Sequence, residues 1–428
     1  MSAPCDGGVG PMRYVTISQW SRETRGSGGT VCERRLVVHV GEGGTMTADR
    51  PIRIMQWGMF GSIGGIERFM MDLYRNMDRD LVQFDFLAAH DAPKLAFEEE
   101  IADYGGRIFR VQYSQSESAY QARHSLLRVY HEHPDIIGVH VHACFPYAYP
   151  LVVARACGIR LRILHAHGAF AAQSGQDMRS RVAAMVRDRL VRGQIDRYPS
   201  RYCACSDTAA AFMFPDKPYV WVKNGIDTAR FRFDNAVRQS VRHRYAIDED
   251  TDVLGFCGYL TDAKRPLFAL EAFARYRSMR PKSRMMVIGN GSVSGMKSRM
   301  AALGLPDDAV LFMGGDRSDV NQLYQAMDGF IVPSKHEAFP TVLVEAQCAG
   351  LPCVASREAV TGQATVTDLL RFCSLSDDAR TWARVLREGV ARRVDRASYA
   401  SRVAAAGFDM RATAAMLQRI YLTEGGRS

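Results

Sequence analysis

From Pro51 onward, short apolar runs rich in β-branched residues alternate with stretches of helical period, the pattern of parallel strands joined by crossover helices. The first series predicts strands at Ile52–Gln56, Gln83–Ala88, Ile136–Val141 and Arg162–His165, with an amphipathic helix near Ile66–Met77. It closes near residue 222. A second series predicts strands at Val253–Cys257, Met285–Ile288, Val310–Met313, Gly329–Val332 and Cys353–Ala355, and occupies residues 223–395. Residues 396–428 hold a last amphipathic stretch, Tyr399–Tyr421, predicted to be helical and to pack back toward the first domain. Two such series in tandem predict an α/β protein of two doubly wound parallel-sheet domains facing a cleft. Ligands of open α/β sheets sit beyond the carboxyl ends of the strands, so the strand-to-helix turns are where chemistry is expected.

Residues 1–50 break the pattern. They are rich in Gly and Arg, with Leu36–Val40 as the one strand-like run, and are expected to be a disordered extension, or an over-long start with Met46 as the true first residue. The length of 428 residues suits two domains with separate cores. No apolar run reaches the roughly 18–20 residues of a membrane-spanning helix; the longest candidate, Phe145–Ile159, contains Arg155. The ten cysteines form no framework, Cys203 and Cys205 being one residue apart, and read as reduced thiols of a cytoplasmic protein. A net charge of +9 points to acidic partners: phosphorylated substrates, anionic lipid or nucleic acid. No nucleic-acid-binding module appears, so nucleic acid is not expected as a partner.

Three turns stand out. The first, GSIGGIER (Gly61–Arg68), follows a strand and opens a helix, so backbone N–H groups and a positive helix end face any bound anion. Its glycines do not match the dinucleotide fingerprint, although Asp85 lies where a dehydrogenase would place its ribose-binding acid. In the second, GYLTDAKRP (Gly258–Pro266), Pro266 suits a first helical position and Lys264 can reach a phosphate at the helix start. The third is PSKHEAFPTVLVEAQCAGLP (Pro333–Pro352). Pro340 and Gly350 bracket a short helix, with Glu337 in the loop before it and Glu345 on it, leaning back toward the same end. Two carboxylates beside a positive helix tip suit a hydroxyl-rich ligand carrying a diphosphate.

The EAFPTVLVE segment resembles the E-x7-E motif of retaining enzymes of glycosyltransferase family 4, which have the GT-B fold of two Rossmann-like domains. The other turns match that family in order: GSIGGIER its glycine-rich loop, KNGID (Lys223–Asp227) its interdomain turn, CGYLTDAKR its phosphate-lysine motif and VIGNG (Val287–Gly291) its donor-domain turn. FDFL, HAHG (His165–Gly168) and EAQCAGLP look more like transferases of exopolysaccharide and capsule assembly. The resemblance implies a nucleotide-sugar donor, a glycan or lipid-linked acceptor, no metal and no cofactor. It implies that Glu345 binds the ribose, Glu337 the sugar hydroxyls, and the backbone of Phe339, Pro340 and Thr341 the diphosphate. Lys264 would neutralise the leaving diphosphate, and His167 would meet the donor sugar or the departing charge. Gly64, Gly65, Asn224 and Gly289 would line the substrate site. One departure is Tyr259, where the family commonly has arginine; the adjacent Arg265 is a candidate replacement.

Other features admit plainer readings. The pairs His131/His133, His140/His142 and His165/His167 could each share a strand face and chelate a metal, but no acidic or cysteine ligand lies at helpful spacing, and His140 and His142 read as sheet histidines near the cleft. Asp248-Glu249-Asp250 reads as solvated charge, and Ser206 as a helix cap. Arg179–Arg201 carries seven arginines against two aspartates with interleaved apolar residues, which suits either a solvated helix or docking to an anionic membrane surface. A sugar-nucleotide epimerase or phosphorylase of the same architecture, and then a nucleotide-dependent dehydrogenase, are the alternative activities.

Overall fold

The computed structural model describes residues 15–17, 36–40, 44–48, 50–112, 115–168, 178–315, 317–392 and 394–425. Three short strands, β1 (Val15–Ile17), β2 (Leu36–Val40) and β3 (Gly44–Ala48), pair antiparallel with one another. The expected extension over residues 1–50 otherwise falls outside the described residues.

The first large sheet contains β4 (Ile52–Trp57), β5 (Val82–Ala89), β6 (Arg107–Val111), β7 (Ile136–Ala143), β8 (Leu161–Ala166), β9 (Arg201–Ala204) and β10 (Val220–Trp221). Its order is β10-β9-β8-β7-β4-β5-β6, and every adjacent pair is parallel. The second contains β11 (Asp252–Cys257), β12 (Ser283–Ile288), β13 (Val310–Gly314), β14 (Gly329–Val332), β15 (Cys353–Ser356) and β16 (Leu370–Cys373), in the order β13-β12-β11-β14-β15-β16, again parallel throughout. Parallel strands need crossover helices, which cover both sheet faces and explain the nearly continuous burial of the central strands.

In both sheets the chain starts near the middle and later reverses direction of growth, so adjacent crossovers diverge between β4 and β7 and between β11 and β14. Such switch points open a crevice at the carboxyl ends of the strands. The glycine-rich loop leaves β4 at the first, and the Gly258–Pro266 turn leaves β11 at the second.

The predicted C-terminal helix is broken in two. Helix Tyr399–Val403 runs into a turn where Gly407 takes φ +81°, a left-handed conformation that suits glycine, and helix Met410–Gly425 follows. Met410, Ala414, Leu417 and Tyr421 repeat at helical spacing and are buried with Ile54, Phe84 and Ile163 of the first sheet. Residues beyond the second sheet thus belong to the core of the first domain. Lys223 Nζ donates to the Ala406 carbonyl (2.7 Å) and Thr413 Oγ1 to the Lys223 carbonyl (3.0 Å), which fixes the crossing point between domains.

Candidate active site

The two switch points face each other across a cavity of about 570 Å3. The first domain contributes Gly64, Gly65, Arg68 and Asp72, and the second Asn224, Gly258, Gly289, Thr341 and Glu345. Six of the residues singled out from sequence therefore share one wall-to-wall cleft: Gly64, Gly65, Asn224, Gly289, Thr341 and Glu345.

The glycine-rich loop is built for close approach. Gly64 caps helix Gly65–Arg75, and its N–H donates to the Glu67 carboxylate at 3.0 Å, the back-reach of a capping box. A Cβ on Gly64 would lie 2.7 Å from that carboxylate, whereas one on Gly65 would meet nothing, so Gly65 presents open backbone to the cleft. Gly65, Arg68 and Asp72 follow at i, i+3 and i+7 and look across it from one helix face. Burial raises the pKa of Asp72, against hydrogen bonding and charge from Arg75, Arg230 and Arg68.

Across the cleft, the turns after β11 and β12 are nested. A Cβ on Gly289 would fall 1.9 Å from the Gly258 carbonyl oxygen, so no other residue fits there without shifting the turn. Lys264 ends the short turn Asp262–Lys264, and its ammonium donates to Glu337 Oε1 at 2.6 Å. Ser334 Oγ donates to the same oxygen at 2.7 Å, and the Lys335 N–H donates to the Ala263 carbonyl at 2.7 Å. The two loops are thus sewn together, with Lys264 beside the cleft-lining Gly258: a Cβ there would touch the lysine stem at 3.8 Å.

Pro340 caps helix Thr341–Cys348, whose open end points into the cavity through Thr341 and Val342. Glu345 lies one turn further on, where Tyr324 Oη donates to its Oε2 at 3.0 Å. Burial raises the pKa of Glu345, and the Tyr324 hydrogen bond and the positive charges of Arg68 and Arg230 oppose that rise. Phe339 and Pro340 sit behind the wall. The Phe339 ring stacks on Phe408 at 5.7 Å and 10°, and the neighbouring Ala338 carbonyl accepts from Ser206 Oγ at 2.7 Å. Ser206 is a helix cap as expected, accepting from the Ala209 N–H at 3.1 Å, and also joins the two domains.

His167 packs 4.9 Å from the ring of cleft-lining Phe69, and its Nε2 is 2.9 Å from His142 Nδ1. Burial pushes its pKa down to about 3, so it is a neutral imidazole, set behind Phe69 and not itself among the residues lining the cleft. A neutral ring suits a sugar hydroxyl better than a departing negative charge.

Two sequence-based alternatives lose their footing. Arg265 takes φ +52° and lays its guanidinium over the Phe268 ring at 4.1 Å, off the cleft wall, so it is poorly placed to stand in for the arginine missing at Tyr259. Asp85, the would-be ribose acid of a dehydrogenase, is fully buried and clamped by Arg53 and Arg107 at 2.6 Å each. Asp248-Glu249-Asp250 is exposed, and Asp250 pairs with Lys282.

Sequence reasoning passed over Arg68, Arg230 and Tyr324. Arg68 lies inside the GSIGGIER motif, and its helical spacing from Gly65 was the available signal. Arg230, whose guanidinium donates to the Ser318 carbonyl, and Tyr324 come from short helices that carry no motif.

This is the two-lobed GT-B class of enzyme, with a glycine-rich loop, a helix end and Glu345 lining the cleft between its α/β lobes. Family models agree with that class: Glycosyltransferase Family 4 matches residues 63–230, and Glycosyl transferases group 1 matches residues 237–388. The chain is a glycosyltransferase of the GT-B type, carrying the family 4 and group 1 domains. It is 28% identical over 365 residues, 84% of this chain and 93% of the relative, to the Bacillus subtilis (strain 168) protein named "Putative glycosyltransferase EpsF". The fold is that of Anabaena Alr3699/HepE, solved in complex with UDP-glucose, with TM-score 0.66 at 18% identity, covering 86% of this chain and 99% of the other. It is also that of WaaG, a glycosyltransferase involved in lipopolysaccharide biosynthesis, with TM-score 0.63 at 18% identity, covering 86% and 100%.

Proposed function

We propose that the enzyme transfers a hexosyl group, with retention at the anomeric carbon and without a catalytic metal, from a UDP- or GDP-sugar to a glycan or lipid-linked acceptor in surface polysaccharide assembly. The observations that support this reading are the Thr341 helix end and Glu345 lining one cleft opposite the glycine-rich loop, with the Lys264–Glu337 pair on the loops beside the cleft-lining Gly258. HepE binding UDP-glucose and WaaG acting in lipopolysaccharide biosynthesis support the donor class and the setting.

The chemistry follows from charge. The bond from anomeric carbon to diphosphate breaks with its electron pair passing to the diphosphate. Positive groups fixed before the reaction stabilise that developing charge. Lys264, the open N–H groups at Thr341, and Arg68 from across the cleft are those groups here. The acceptor oxygen bonds to the same face of the sugar, and its proton passes to the departing diphosphate oxygen, which gives retention. Glu345 takes the ribose hydroxyls and Glu337 the sugar hydroxyls. Asn224, whose buried Oδ1 has no protein partner, accepts another hydroxyl.

The acceptor side faces a membrane in this reading, with the protein cytoplasmic and peripheral. No described helix is long and apolar enough to cross a membrane. Helix Met178–Arg197 instead exposes Met185 (72%), Val186 (54%) and Leu190 (64%) among exposed Arg187 and Arg189, a combination that suits an anionic lipid surface. A thermal-shift screen of nucleoside diphosphates and nucleotide sugars, with Mg2+ and with chelator, tests the donor class. A shift confined to nucleotide sugars and their diphosphates, unchanged by chelator, is expected. A shift with nicotinamide dinucleotides alone contradicts the reading.

A further inference from the structure

Two of the histidine pairs set aside in the sequence lie on neighbouring strands. His140 and His142 project from one face of β7, His165 and His167 from the same face of β8, with His142 and His165 in register. The rings form a two-by-two block, with centroids 4.0 Å apart for His140 and His142 and 3.9 Å for His165 and His167. Phe69 closes one side, and Tyr421 of the C-terminal helix the other. His140, His142 and His165 are at most 1% exposed, and one ring nitrogen of each lies within 4.8 Å of the others.

Proton placement shows what these rings lack. A neutral imidazole has one N–H and one lone pair. His142 Nε2 faces Gln56 Oε1 at 2.9 Å, so it carries the proton and Nδ1 the lone pair. His140 Nδ1 meets the Tyr421 hydroxyl at 2.7 Å, while its Nε2 has no protein partner. Both ring nitrogens of His165 are buried without a protein partner. Each buried polar atom left in that state costs about 1–3 kcal/mol. In metal sites one histidine nitrogen takes the ion and the other is tied to an oxygen; His140 shows that arrangement, with Nε2 open and Nδ1 on the Tyr421 hydroxyl, whereas His142 Nδ1 is shared with His167 and both nitrogens of His165 are open.

We propose that His140, His142 and His165 form a three-histidine site for one transition-metal ion, Zn2+ by ligand chemistry, in the core of the first domain and apart from the diphosphate cleft. The ligands are His140 Nε2, His142 Nδ1 and one nitrogen of His165, with a fourth position for water. Gln56 and Tyr421 are the outer partners. Zn–N bonds of about 2.0–2.1 Å set the nitrogens about 3.4 Å apart. The rings therefore draw together by roughly 1 Å, and His142 gives up its hydrogen bond to His167. Because Tyr421 belongs to helix Met410–Gly425, the ion pins that helix to the sheet it covers.

The test uses full-length, tag-free protein stripped with chelator and titrated with Co2+, followed by visible absorption, with Zn2+ competition and metal content after gel filtration. Expected is one equivalent of Co2+ with the intense bands of a four-coordinate site, displaced by Zn2+. His165→Gln removes that equivalent, and the double change His131→Gln/His133→Gln, on exposed or half-exposed residues, retains it. Should His165→Gln fail to fold, Tyr421→Phe replaces it and weakens Zn2+ binding about tenfold or more. Failure to bind one equivalent, or binding insensitive to both His165→Gln and Tyr421→Phe, overturns the proposal. Metal binding is the readout, so its failure leaves the account of the cleft untouched.

Discussion

The Lys264 ammonium lies 2.6 Å from the Glu337 carboxylate, bridging the loop after β11 to the loop before helix Thr341–Cys348. Two residues 73 positions apart thus meet beside the cleft-lining Gly258; in the proposed mechanism one neutralises the anion and the other binds the sugar hydroxyls. In the account above, donor binding recruits both: the ammonium turns to the diphosphate and the carboxylate to the sugar. One well-aimed electrostatic contact is worth roughly 3 kcal/mol in the transition state. Lys264→Ala is expected to lower kcat about a hundredfold in a steady-state assay of nucleoside diphosphate release. An unchanged rate removes Lys264 from the mechanism.

Tyr259 is exposed on the cleft wall, and Arg265 is turned onto Phe268. In the proposed mechanism Arg68, which lines the cleft, supplies the second cation to the diphosphate. A hydrogen bond to a charged group is worth about 1.5–3 kcal/mol, so Arg68→Ala should weaken nucleoside diphosphate binding by about tenfold in calorimetry. Tyr259→Arg should tighten it and restore part of the loss in the double variant. Equal affinity of wild type and Arg68→Ala would assign Arg68 elsewhere.

Acid sensitivity has a definite source. Burial alone would raise the pKa of Asp85, but hydrogen bonds and charge from Arg53 and Arg107 more than offset it and leave the pKa lowered. A depressed folded-state pKa contributes stability that is present above the unfolded value near 4 and is lost as pH falls through the folded value. Asp85→Asn should cost about 3 kcal/mol at neutral pH and flatten the fall of Tm below pH 4. A variant that loses Tm in parallel with wild type across that range contradicts the assignment.

Membrane docking predicts co-sedimentation with vesicles containing anionic lipid and none with neutral vesicles. Replacing Met185, Val186 and Leu190 together by Ser should weaken vesicle affinity about a hundredfold or more, since each apolar side chain contributes about 1.5–3 kcal/mol when fully buried. Binding indifferent to lipid charge would leave the helix as an ordinary solvated surface.

The central strands were legible because they are longer and mostly apolar and β-branched, even where a polar residue interrupts them: Gly329–Val332 was predicted to the residue, and β4, β5, β7, β8 and β11 within two. In the two large sheets the strands that escaped, β6, β9, β10 and β16, are outer strands of two to five residues. Three of them carry arginines, Arg107 and Arg110, Arg201 and Arg371, which interrupt the apolar signal. The C-terminal helix was visible, but not its break at Gly407, which depends on packing against Lys223.

In the site, the glycine turns and Glu345 were legible because ligand approach dictates residue type at fixed spacing. Arg265 takes a left-handed backbone and stacks on Phe268, an arrangement that spacing in the sequence does not reveal. The histidine block escaped for a related reason. Each His-x-His pair shows only two of the groups, and the register of β7 with β8 brings in the third.

The most direct test of the cleft is calorimetric titration of the full-length protein with UDP and GDP in the presence of chelator, for wild type, Lys264→Ala and Glu345→Gln. The account predicts one equivalent of one nucleotide bound without metal, weakened about tenfold by either substitution, consistent with loss of one charge-assisted contact in each case. Binding of neither nucleotide, or an affinity that both substitutions leave intact, would contradict it.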